Sequence, residues 1–254
     1  MTRLKIGRMN LPIDTAGSHF PSPSSPPPAV HPDLVRTWVH GLARCRGAVP
    51  PVAVHGGFYV EVRVPVWSHR YVFPAADPGV LRDLTASITT PNLWINVCAP
   101  RSEVAPVLPA TWEITEPQFL MSAALPPVPA PVAAPAGYTV ETADEDGTGV
   151  YQCRVLDAAT GHLAARGRAG LTDASAPPSA VFDMISTCAA HRRRGLGRLV
   201  MNALTAHMVR LGAARGILVA SPAGRALYRS LGWRLHAPVT AVRLPPAAED
   251  SATG

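Results

Sequence analysis

Apolar side chains at Leu196, Leu199, Val200, Ala203, Leu204, Met208 and Leu211, with His207 among them, recur at the 3.6-residue period of a helix that buries one face. The pattern predicts an amphipathic helix from Gly197 to about Leu211, stopped by Gly212. Around it the rhythm changes to short apolar runs bounded by turn residues, which read as strands over 138–142, 150–156, 163–171, 180–188 and 216–220. Asp157-Ala158-Ala159-Thr160-Gly161 joins two of them as in a hairpin, and Asp144-Glu145-Asp146-Gly147 reads as a turn. A short helix over 224–231 ends at Gly232, and residues 233–236 and 239–244 supply two closing strands. This succession predicts an α/β chain with a mixed sheet and helices packed against it.

The first half is less regular. Leu34, Val35, Trp38, Val39 and Leu42 line one side of a short helix that starts after Pro32, with Asp33 in its first turn. Strands follow over 58–64 and 71–73, then a helix over 78–88, a strand over 93–98 and a short helix over 103–108. Residues 119–125 read as a linking strand. Prolines and serines dominate residues 1–30, an expected flexible arm, and the proline–alanine stretch 126–136 reads as a linker. The expected units are therefore an N-terminal α/β unit over 31–125 and a second domain over 137–245, with a flexible tail over 246–254.

The 254 residues carry a formal net charge of +6, and Lys5 is the only lysine, so the charge is arginine. Arginine presents several donors in a planar fork and suits a polyanionic small molecule. No aromatic side chain is interleaved with the arginines of 192–198, which argues against a nucleic-acid partner. No apolar run approaches the roughly 20 residues that cross a bilayer, so a cytoplasmic protein without a membrane partner is expected. Cys45, Cys98, Cys153 and Cys188 have no metal-ligand spacing and read as buried reduced thiols, with no metal expected.

Chemistry concentrates at Ala190-His191-Arg192-Arg193-Arg194-Gly195-Leu196-Gly197-Arg198, between a core strand and the amphipathic helix. A glycine-bearing basic turn entering a helix gathers unpaired amides, the positive end of the helix dipole and guanidinium charge, which suits a phosphate. No Lys-Ser or Lys-Thr follows the glycines, and there is no Gly-x-Gly-x-x-Gly with an acidic partner, so nucleotide hydrolysis and nicotinamide chemistry lose support.

Arg192-Arg193-Arg194-Gly195-Leu196-Gly197 resembles the acyl-CoA pyrophosphate motif of the GNAT-type N-acetyltransferase superfamily. Downstream, the segment from Ser221 through Gly224, Tyr228 and Gly232 to Trp233 resembles that superfamily's Asn-x-x-Ala-x-x-x-Tyr-x-x-x-Gly-Phe segment, with Ser221 in place of asparagine. The resemblance covers about residues 137–244 and implies a GNAT-like acyl-CoA transferase fold with acetyl-CoA as cosubstrate. It implies that the amides of Arg192, Arg193, Arg194, Gly195, Leu196 and Gly197 hold the pyrophosphate, with arginine side chains of the turn, Arg198 included, adding charge-assisted contacts. Pantetheine would lie along Ile185 and Thr187, where that strand parts from the one ending near Ala220, with Ser221 close by. Tyr228 is implied as the acid that protonates the departing thiolate, a role open to a phenol that is neutral at pH 7.

Asp183 is the only carboxylate of its strand and shares the parity of Ile185 and Thr187, which makes it the candidate base. The alternative is a structural bond to Thr187 or to an arginine, with water taking the proton. His191 would flank the turn, while His207 and Trp233 read as scaffold and core. The expected activity is direct acetyl transfer to a primary amine of a small molecule or peptide. A catalytically inactive acyl-CoA-binding module and a basic nucleic-acid-binding protein are the alternatives, and a homodimer stays open. Only about eight residues separate Thr142 from Val150, where the superfamily places two helices that shape the acceptor pocket. The N-terminal unit or a partner subunit would have to form that wall, and a degenerate second copy of the fold would explain its α/β pattern.

Overall fold

A computed structural model describes residues 30–61, 69–127, 133–145 and 147–246, so residues 1–29 of the arm expected over 1–30, residues 62–64 of the strand expected over 58–64, residues 128–132 of the linker and residues 247–254 of the tail lie outside the described residues. In chain order the elements are α1 (Pro32–Cys45), β1 (Val52–Val54), β2 (Gly57–Glu61), β3 (His69–Phe73), α2 (Pro78–Ser87), β4 (Leu93–Val97), α3 (Arg101–Val104), β5 (Glu113–Ile114) and β6 (Gln118–Ala124). The second half holds β7 (Tyr138–Glu145), β8 (Val150–Asp157), β9 (Leu163–Thr172), β10 (Ser179–Thr187), α4 (Leu196–Arg210), β11 (Arg215–Ala220), α5 (Pro222–Ser230) and β12 (Arg234–Arg243). All these strands join one mixed sheet in the order β1-β2-β3-β4-β12-β6-β11-β10-β9-β8-β7, with β5 on β12.

One succession occurs twice. β2 is antiparallel to β3, which is parallel to β4 across α2; likewise β9 is antiparallel to β10, which is parallel to β11 across α4. A short helix and a last strand follow in each half, and these last strands are exchanged. β6 from the first half pairs with β11 from Phe119↔Ala220 to Ala124↔Arg215. β12 from the second half pairs with β4 and β6.

Residues 119–125, expected as a linking strand, are thus corrected to mid-sheet strand β6. The reason is burial on both faces: Leu120 and Met121 are each 0% exposed, and they enter different cores. The two closing strands expected over 233–244 are one strand with an irregularity between Leu235 and Ala237, and the turn expected at 144–147 begins later because Asp144 and Glu145 extend β7.

The helices take opposite faces. Leu196, Val200, Leu204 and Met208 of α4 pack with Cys153, Ala165, Ala169 and Phe182 of the sheet. On the other face α1 sets Val35, Trp38, Val39 and Leu42 against Leu120, Val181, Ile217 and Val239, each of the larger side chains contributing roughly 1.5–3 kcal/mol by its burial. The contact is close because Gly41 lacks a side chain, and a Cβ there would lie 2.2 Å from Val181. A helix of the N-terminal half therefore covers the second half's sheet.

Candidate active site

The basic turn leaves β10 through a short 3-10 segment, Ala189–His191, and enters α4 at Gly195, whose φ of 80° is left-handed and comfortable only without a Cβ. No side chain caps α4, and Leu199 N to Gly195 O at 3.0 Å is an early helical bond. The amides of Leu196, Gly197 and Arg198 therefore have no intrahelical acceptor, as the geometry of a helix start requires. Gly197 also lets α4 approach α5, since a Cβ there would stand 3.1 Å from Leu227. Arg192, Arg193, Arg194 and Arg198 are exposed around this point.

Three of those arginines are braced. Arg194 donates to the Tyr138 hydroxyl at 2.9 Å, and that hydroxyl is 3.0 Å from His191 Nδ1, so His191 flanks the turn as expected. Arg198 reaches Ser230 Oγ at 3.5 Å, and Arg192 Nε points to the Thr187 carbonyl at 3.4 Å. Arg193, at a left-handed φ of 63°, is exposed.

β10 and β11 pair in parallel only from Ser179↔Arg215 to Val181↔Ile217. Beyond Val181 they part, because β10 shifts register on β9 between Asp183 and Ser186, with Met184 at a left-handed φ of 57°. The backbone of Ile185 and Thr187 thus faces a gap instead of a neighbouring strand. That gap holds a cavity of about 270 Å³ lined by Asp183, Met184, Ile185, Ala220, Ser221 and Tyr228 among others. Ser221 accepts from the Gly224 amide at 3.1 Å and so starts α5, which carries Tyr228.

Tyr228 is 6% exposed and its ring lies 5.8 Å from that of Trp233, a core residue as expected. Burial, and then the nearby Asp183 carboxylate, push the phenol above its usual pKa, so at neutral pH it holds its proton. Asp183 makes the arginine bond rather than one to Thr187: Arg46 Nε meets Oδ2 at 2.7 Å and Arg46 Nη2 meets Oδ1 at 3.2 Å. Arg70, 6% exposed, lines the same cavity, and its desolvation, with Arg46 beside it, lowers its pKa to about 9.

The N-terminal half thus supplies Trp38, Leu42, Arg46, Arg70, Glu116 and Gln118 to the cavity wall. Spacing gave no sign of these residues, since Arg46 and Asp183 lie 137 positions apart. His207 stacks on Tyr151 at 3.6 Å and belongs to the scaffold. Three cysteines are buried, but the fourth corrects the expectation: Cys188 is exposed because it opens the basic turn. Among the described residues no three His, Cys, Asp or Glu side chains converge as a metal site, and no helix is long and apolar enough to cross a membrane.

Comparison with known proteins points one way. Residues 112–233 match the family described as Acetyltransferase (GNAT) family. A GCN5-related N-acetyltransferase from Kribbella flavida is similar in structure, with 18% identity, a TM-score of 0.58 and coverage of 86% of this chain and 96% of that one. A GNAT-family protein from Novosphingobium aromaticivorans is similar at 21% identity and a TM-score of 0.53, over 84% of this chain and 98% of that one. A tandem GNAT protein from the clavulanic acid biosynthesis pathway is similar at 14% identity and a TM-score of 0.50, over 85% and 95% of the two chains. These likenesses are of fold, and no curated protein matches the sequence.

Proposed function

We propose, because the chain belongs through residues 112–233 to the acetyltransferase (GNAT) family, that it moves an acetyl group from acetyl-CoA directly to a primary amine of a small molecule or peptide. One observation carries the reading: an uncapped, arginine-rich helix start follows the strand that parts from its parallel neighbour, and the cavity in that gap reaches Tyr228.

Acetyl-CoA supplies an activated thioester. The amides from Arg193 to Arg198 take its pyrophosphate, and the exposed guanidiniums of Arg192 and Arg193 add charge-assisted contacts. The backbone of Ile185 and Thr187, without a β11 partner, accepts and donates along the pantetheine arm. Attack by the amine on the acetyl carbon forms the C–N bond and breaks the C–S bond. Tyr228 gives its proton to the departing sulfur, because a neutral buried phenol is a donor there. Both Asp183 oxygens are engaged by Arg46, so the proton on the attacking nitrogen leaves to water in the cleft and Asp183 serves as a charge partner.

The test is to incubate the protein with acetyl-CoA and a panel of amines and follow free thiol. Tyr228→Phe should lower kcat by about a hundredfold while acetyl-CoA affinity stays unchanged. Full turnover in that variant removes the acid role. Binding without thiol release from the wild type selects the inactive binding module, and absence of acyl-CoA binding overturns the reading.

A further inference from the structure

The irregularity that opens the cleft is held from the other half of the molecule. Met184 is neither glycine nor asparagine, yet it adopts a left-handed φ of 57°, a conformation that persists only where the surroundings dictate it. The residue before it, Asp183, is where β10 leaves its register with β9. Arg46 grips that residue through two contacts, 2.7 Å and 3.2 Å, and each side chain of the pair is 16% exposed. Two contacts from a planar fork fix the orientation of the carboxylate as well as its distance, which a lysine could not do.

Arg46 is itself well anchored. It closes α1, its amide bonding to the Leu42 and Ala43 carbonyls at 3.2 Å. The helix end is seated on β10 by the Gly41–Val181 contact and by the Cys45 thiol donating to the Val181 carbonyl at 3.3 Å. Val181 is the last residue of β10 that pairs with β11. The anchor and the grip therefore bracket the point where the strands part.

We infer that Arg46 is a positioning residue, acting through Asp183 to hold β10 in the splayed course that receives the acyl-bearing arm of acyl-CoA. The inference rests on the acyl-CoA reading of the cleft. It assigns the N-terminal half a part in donor binding that does not involve the pyrophosphate turn.

Two ligands separate this role from a general loss of structure. ADP carries a pyrophosphate for the turn and no arm for the cleft, whereas acetyl-CoA uses both. Titration calorimetry on the full chain should give Arg46→Met an acetyl-CoA Kd about tenfold weaker than wild type, with the ADP Kd unchanged. Arg46→Lys, which restores charge without the fork, should fall between the two. If Arg46→Met does not fold, Asp183→Asn, which keeps shape and one acceptor, is measured in the same way. Equal weakening of both ligands, or no change in either, overturns the inference. If wild type binds ADP and acetyl-CoA equally, the inference falls and the pyrophosphate site stands; if it binds neither, the acyl-CoA reading itself fails.

Discussion

Two helices of this chain each follow the first strand of a parallel pair, and they begin in opposite ways. At α2 the cap is Asp77, whose Oδ1 accepts from the Gly79 and Val80 amides at 2.9 Å and 3.0 Å, while Pro78 has no N–H to satisfy. At α4 the cap is Gly195, with no side-chain bond and four exposed arginines around it. The strands differ in the same sense: β3 and β4 stay paired over five residues, from His69↔Leu93 to Phe73↔Val97, whereas β10 and β11 part after three. One copy of the unit answers its own helix start with a carboxylate and closes its strand gap. The other leaves both open, and an external anion can take the place that Asp77 fills at α2.

Making the open copy resemble the closed one should give the largest effect. Gly195→Asp would bring a carboxylate beside the α4 amides; the left-handed φ of 80° strains any side chain there, aspartate less than most. The lost charge-assisted bonds and the new repulsion should weaken acetyl-CoA binding by at least about a hundredfold in calorimetry. Retained affinity would place the pyrophosphate elsewhere. Next comes the docking of one half on the other. Gly41→Ala would gain about 1 kcal/mol of helix propensity, but its methyl would lie 2.2 Å from Val181 in a packed seam. The clash should win, with a net loss of about 2 kcal/mol in urea unfolding; an unchanged midpoint would mean that α1 is loosely seated.

Asp77→Ala sharpens the comparison from the closed side. Loss of its two amide bonds should destabilise the protein by about 1 kcal/mol in urea unfolding, as for other N-caps, and leave the acetyl-CoA Kd unchanged. Weaker acetyl-CoA binding in this variant would show that the first half's helix start shares in the site.

Sequence made the open copy far more legible than the closed one, for a physical reason. The α4 period, the glycines at 195 and 197 and the Tyr228 helix are local signals, each set within a turn or two of chain. Strand exchange is not local: β6 and β12 read as strands, but the partners they take depend on distant segments competing for the same edge. The parting of β10 from β11 follows from the family resemblance and from no local signal, because the left-handed residue is Met184 where a glycine would have announced it. Arg46 looked like one arginine of many until α1 docked on the sheet and brought it to Asp183. α1 was visible as an amphipathic helix, but periodicity reveals that a face is buried and not which half buries it.

The smallest effect tests the joint between the copies. His236 Nε2 lies 2.7 Å from Ser122 Oγ, linking the exchanged strands β12 and β6. Burial first, and then the Arg234 and Arg215 charges, hold the His236 pKa below its usual value; His40 and His207 are lowered too, with burial again the largest cause. A histidine with a depressed folded-state pKa is neutral in both states at high pH. As the pH falls through the ordinary value of about 6.5, the unfolded chain takes up the proton first and stability drops. Wild-type Tm should therefore decrease between about pH 7.5 and 5.5, and His236→Asn, which cannot titrate, should reduce that decrease by about 2 °C. An unaltered slope would mean that the joint does not feel the proton and that His40 and His207, outside the exchange, carry the dependence.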